Sequence, residues 1–132
     1  MTMTPDIFYL TLLAGLGLFL WIPHIIAIVM NHGPMSAANY RDIPEKELPD
    51  WGRRAKRVHL NFVENFAPFA ALVIIAHLTK TANETTALMA MLFFWIRVAH
   101  MVVFYLGVPF LRTLLFTAGF VVTVIIFFQI VL

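Results

Sequence analysis

The sequence predicts an all-α membrane protein, a bundle of four transmembrane helices, and three observations carry that prediction. Of 132 residues, 61% are hydrophobic and only 12% are charged, and the mean hydropathy is +0.88, more apolar surface than one soluble core of this size can hide. The apolar residues gather into four runs, each near the length of about 20 residues that a helix needs to cross a bilayer. Lys and Arg crowd into one loop beside those runs, so positive-inside topology accounts for them and nucleic acid is no expected partner. The formal net charge is only +2 and there is no cysteine. Disulfides, thiolate metal sites and a cysteine nucleophile are therefore excluded, and any thiol chemistry requires a bound molecule.

The first span covers residues 7–30. It is too long for a cleaved signal peptide, and no Lys or Arg precedes it. Pro23 should bend this helix, and His24 beside it faces either a cavity or the solvated membrane edge. Residues 31–51 are polar and interrupted by Pro34, Pro44 and Pro49, which reads as an ordered loop with a short interfacial turn. Arg41, Lys46, Arg53, Arg54, Lys56 and Arg57 follow one another here, so this loop is expected on the cytoplasmic side with the N-terminus outside. The second span is expected over residues 56–79, with Pro68 kinking it and releasing the Glu64 carbonyl. Lys80 to Thr85 form an outer turn in which Asn83-Glu84-Thr85 resembles a glycosylation sequon, but Thr79, Thr81 and Asn83 serve as turn and cap residues and the sequon is discounted. The third span covers residues 86–106, Gly107-Val108-Pro109 turn the chain, and the fourth covers residues 110–132; Gly closes one helix and Pro opens the next. Four spans put both termini on the outer face and leave a single domain over residues 1–132.

The start of the second span carries the chemistry. At 100° per residue, Arg54, Arg57, Asn61 and Glu64 fall within about 80° of one another, one polar stripe entering an apolar helix. Arg97, in the third span, costs about 2.5–3.5 kcal/mol near mid-bilayer on insertion scales, so it must face protein or water. His100 and Phe104 continue its face, and Tyr105 lies about 80° round the helix. Glu64 is the expected counter-charge for Arg97 or for an arginine at the inner edge. A structural ion pair between two helices explains these two residues alone. The count argues for more: Arg54, Arg57, Arg97 and Arg112 lie towards one level, and only Glu64 answers them from the spans. An anionic guest is expected, and guanidinium forks suit carboxylates. Arg112 sits at the N-terminal end of the fourth helix, where the macrodipole also favours an anion and would lower the pKa of a thiol, with Thr113 a further donor. Taken alone, Arg112 is equally a residue snorkelling to the headgroups.

These residues resemble a family, the membrane-associated proteins in eicosanoid and glutathione metabolism (MAPEG). Its second-helix pattern R-x-x-R-x-H-x-N-x-x-E-x-x-x-P-F is matched at Arg54, Arg57, His59, Asn61, Glu64, Pro68 and Phe69. Its third-helix R-x-x-H is matched at Arg97 and His100, and its G-x-P-x-L-R turn at Gly107, Pro109, Leu111 and Arg112. Asn39-Tyr40-Arg41-Asp42 and Trp51-Gly52 are similar to the loop of bacterial members. The resemblance implies a homotrimer in the bacterial inner membrane, with glutathione as co-substrate between subunits near the cytoplasmic side. It implies glutathione contacts at Arg57, Asn61, Glu64, Arg97 and His100. Arg54, Tyr105 and Thr113 complete the candidate binding set, and Arg112 is the candidate catalytic residue that stabilises the thiolate. The expected activity is glutathione transfer to apolar electrophiles, or peroxidase action on lipid hydroperoxides. Phe104 departs from the tyrosine that many members carry there, and it motivates the alternative of a non-catalytic, lipid-binding or scaffold member.

Overall fold

The computed structural model describes residues 3–38 and 43–132; Asn39, Tyr40, Arg41 and Asp42, part of the family-like loop, lie outside them. The described residues form helices α1 (Pro5–Phe19), α2 (Trp21–His32), α3 (Pro34–Ala38), α4 (Asp50–Leu78), α5 (Glu84–Leu106) and α6 (Pro109–Val131), with one 3-10 turn at Glu45–Glu47. Helices α1 and α2 together make the first span, and α4, α5 and α6 are the other three.

The first span breaks at Leu20, three residues before Pro23. A proline has no N–H to give the carbonyl four residues back, so the ladder fails at Phe19 rather than at Pro23 itself. Helix α4 begins at Asp50, earlier than the expected start at Lys56, and runs unbroken across Pro68 to Leu78. The proline removes one rung of hydrogen bonding there without ending the segment. Helix α5 opens with a reciprocal cap: the Thr86 N–H donates to the Asn83 side chain and the Asn83 N–H to the Thr86 hydroxyl, which satisfies two otherwise orphaned donors. It closes at Gly107, in the left-handed region at φ 77. There the N–H groups of Gly107 and Val108 both return to the Val103 carbonyl, at 3.0 and 3.3 Å, and Pro109 starts α6 at once.

All four spans contribute to one core. Leu13 of α1, Phe62, Phe69 and Val73 of α4, Phe93 of α5, and Val122 and Ile126 of α6 are buried together. The Phe69 and Phe93 rings stack in its middle with centroids 3.9 Å apart. Outside, the usual pattern is reversed, for large apolar side chains such as Leu18, Phe19, Trp95, Phe110 and Phe120 are all exposed. Such a surface is stable only where the surrounding medium is hydrocarbon.

The two ends of the bundle differ. At one end lie Thr4, the α4–α5 turn and the end of α6, where the Asn83 side-chain amide donates to Gln129. At the other lie the α5–α6 turn and the loop before α4. That loop is clamped: Ile43 and Leu48 pack with Ala27 and Ile28 of α2, and the Leu48 carbonyl accepts from Arg53 at 2.8 Å.

Candidate functional site

The arginines collect at the loop end because α4 starts early. Its first two turns carry Arg53, Arg54 and Arg57 beside the α5–α6 turn. With Asp50, Phe104, Gly107, Pro109 and Arg112 they line a cavity of about 300 Å³, at the small end of the range for ligand sites.

Each arginine is held differently. Arg53 forms an ion pair with Asp50 one turn before it, and both groups are exposed, so the pair contributes at most about 1 kcal/mol. Arg54 donates to the Tyr105 carbonyl at 3.0 Å. Its guanidinium lies against Gly107, where a Cβ would come within 2.9 Å of Nη2. Gly107 is thus required twice, by its positive φ and by the arginine on it. Arg112 stands in the first turn of α6 with its guanidinium carbon 4.8 Å from the centre of the Phe104 ring. Arg54 and Arg112 therefore lean on a carbonyl and a ring, neither of which cancels a charge.

A second cavity, of about 150 Å³, adjoins the first and is lined by Asn61, His100, Phe104, Arg112, Thr113 and Phe116. Arg112 and Phe104 belong to both walls, so one guanidinium faces a polar, arginine-lined space and a smaller, more apolar one. Behind this wall, Arg97 is only 3% exposed and donates from Nη2 to the Asn61 side-chain oxygen at 2.6 Å. Its Nε has no partner among the described residues. Arg97 lines neither cavity and holds Asn61 by this bond.

The expected site residues thus divide. Arg54, Arg57 and Arg112 share the larger space, while Asn61, His100, Arg112 and Thr113 share the smaller. Within the protomer, four of these residues have partners or positions that helical spacing does not specify. Arg97 is held by Asn61 instead of Glu64; Glu64 is exposed on the flank of α4 and lines neither cavity. Tyr105 accepts from Arg54 through its main-chain carbonyl, and its hydroxyl is buried without a hydrogen-bond partner among the described residues. The Thr113 hydroxyl donates back to the Pro109 carbonyl at 3.1 Å, so its proton is already committed. Asp50 and Phe116 were not expected. Asp50 had a signal, an acid after a proline and three residues before Arg53, as in the first turn of a helix; Phe116 had none beyond its helical spacing from Thr113.

The match to known sequences agrees with this layout, for the MAPEG family profile covers residues 7–132, nearly the whole chain. This chain belongs to the MAPEG family. Comparison with curated proteins and with solved structures finds no match. As a MAPEG protein with four helices long and apolar enough to span a bilayer, it is an integral membrane protein. The MAPEG family includes glutathione transferases and peroxidases.

Proposed function

We propose that this MAPEG protein is an integral-membrane glutathione transferase, with peroxidase action as a second outcome of the same activated thiolate. One observation carries the reading: Arg54 and Arg112 border a single cavity, Arg54 donates to a carbonyl and Arg112 leans on a ring, and among the described residues neither is in an ion pair. The acid in that wall, Asp50, is engaged by Arg53. A guest bearing carboxylates completes such a site, because guanidinium–carboxylate contacts are charge-assisted and bidentate.

Glutathione fits this donor set, having two carboxylates for arginines and one thiol. It supplies the sulfur nucleophile that a cysteine-free chain lacks. Arg54 and its neighbours on α4 hold the carboxylates. Arg112, between the two cavities, lies where a sulfur passing from the polar space to the apolar one would be stabilised as thiolate. Asn61, fixed by Arg97, orients the peptide. The smaller cavity, walled by Phe104 and Phe116, receives the apolar reactant from the bilayer. In transfer, a carbon–sulfur bond forms as the electrophile's leaving group departs. In the peroxidase reaction, two thiols are oxidised to a disulfide while a hydroperoxide becomes an alcohol and water.

Glu64 supports assembly. A carboxylate on the exposed flank of a membrane helix is poorly tolerated by lipid. A neighbouring subunit in a homotrimer covers it and brings it towards the guest's ammonium group. The arginine-rich end faces the cytoplasm and both termini face outward, in a bacterial inner membrane.

The test is turnover by purified protein of a generic aryl halide and of a lipid hydroperoxide. The expected result is activity that falls about 10²- to 10³-fold in Arg112→Ala while glutathione still binds in equilibrium dialysis. Phe104 favours a second reading, a lipid-binding scaffold, because it sets a phenyl ring in both cavity walls where a hydroxyl would serve catalysis. Wild-type protein that binds glutathione but turns over neither substrate supports that reading.

A further inference from the structure

We propose a second site at the opposite end of the bundle, a pocket for a primary ammonium group carried on an apolar body. Between the start of α1 and the start of α5 lies a cavity of about 280 Å³, lined by Thr4, Pro5, Asp6, Ala82, Glu84 and Ala87 besides Asn83. Asp6 is only 3% exposed, and its Oδ2 is buried with no hydrogen-bond partner among the described residues. A carboxylate enclosed in this way requires a donor. Neither polar side chain beside it, Thr4 or Asn83, donates to it: Asn83 accepts from the Thr86 N–H and turns its amide nitrogen to Gln129. Among the described residues, no lysine, arginine or histidine lines this space, and neither Asp6 nor Glu84 is in an ion pair.

Charge sets the valence of the guest. Two helices start here, and each helix end carries roughly +0.5 of an elementary charge against −1 for each carboxylate. About one negative charge remains, which suits one monocation. The walls set its kind. Calcium takes six to eight oxygen ligands and magnesium six, zinc takes about four side-chain or water ligands, and the described residues hold no cluster of three or more metal-ligating side chains. Pro5, Ala82 and Ala87 instead offer apolar contact beside the carboxylates. An ammonium supplies up to three donors for Asp6 and Glu84, and an apolar or glyceryl body fills the remainder. Such a group arrives either as the headgroup of an aminophospholipid or as a small soluble amine.

The experiment uses the full chain in nanodiscs of phosphatidylcholine, whose methylated headgroup has no N–H to donate. Phosphatidylethanolamine is introduced into the discs, and in separate arms ethanolamine or calcium chloride is added to the buffer. Thermal unfolding and lipid retention in native mass spectra are the readouts. The expected result is a saturable rise in Tm with an amine source, weakened about tenfold or more in Asp6→Asn and in Glu84→Gln, with glutathione affinity unchanged in both. A rise with phosphatidylethanolamine alone assigns the lipid headgroup, and a rise with free ethanolamine assigns a soluble amine. Asp6→Asn keeps the shape of the helix start, and the more exposed Glu84 provides an independent variant if Asp6→Asn fails to fold. A wild-type protein indifferent to both amines, or stabilised only by calcium, overturns the proposal, as does an equal response in the wild type and both variants.

Discussion

Asn61 and Arg97 show how one pair of side chains serves both stability and the site. Arg97 is 3% exposed and gives its short hydrogen bond to the Asn61 oxygen, and Asn61 in turn forms part of the smaller cavity wall. Removing the acceptor leaves a charged donor buried and unpaired. Asn61→Ala is therefore expected to lower stability by about 1–3 kcal/mol in detergent unfolding experiments and to weaken glutathione binding. Asn61→Asp separates the two roles. It restores an acceptor for Arg97, so stability should recover, yet it places a negative charge where an anion is expected, so affinity should fall further. Equal affinity in Asn61→Asp and wild type would show that this wall does not meet the peptide.

At the scale of elements, two glycines set close approaches. A Cβ on Gly52 would lie 2.7 Å from the Ala27 Cβ, and neither group can swing aside, so α2 and α4 cross as closely as they do only because Gly52 is bare. Gly52→Ala should cost about 1–3 kcal/mol by forcing those helices apart. Gly107→Ala adds about 1–2 kcal/mol for a left-handed backbone and also pushes on Arg54, so it should impair glutathione binding where Gly52→Ala does not. Gly15 has nothing within 4 Å, and Gly15→Ala is the control, neutral or slightly stabilising in the same unfolding measurements. Element existence was legible because hydropathy marks whatever crosses the bilayer. It falls silent before Lys56, where Asp50, Arg53 and Arg54 make the first turns of α4 polar, so the helix begins earlier than its apolar run. The proline rule found the weak point of the first span; the break lies at Leu20 because the missing donor is felt four residues upstream, at the Phe19 carbonyl.

For the whole molecule, helical periodicity made the face shared by Arg54, Arg57 and Asn61 legible, along with the end of the bundle where they meet Arg112. Periodicity carries direction but not depth. The level at which Arg97 sits beside α4 depends on how two antiparallel helices are offset, and that offset decides for Asn61 over Glu64. Likewise Tyr105 turns its carbonyl, not its hydroxyl, towards Arg54. Orientation in the membrane is directly testable because the chain has no cysteine. Lys46 and Lys80 are exposed at opposite ends, so in intact cells an impermeant maleimide should label Lys80→Cys and leave Lys46→Cys unlabelled until the cells are opened. The reverse pattern would invert the topology and place the arginine end outside. The most direct test of the arginine-lined cavity is a pH titration of glutathione thiolate absorbance on the purified protein. Wild-type protein should hold the bound thiol as thiolate well below its ordinary pKa of about 8.5, and Arg112→Ala should return the titration towards that value with glutathione still bound. An unshifted thiol on the wild type, or the same shift in Arg112→Ala, would contradict the account.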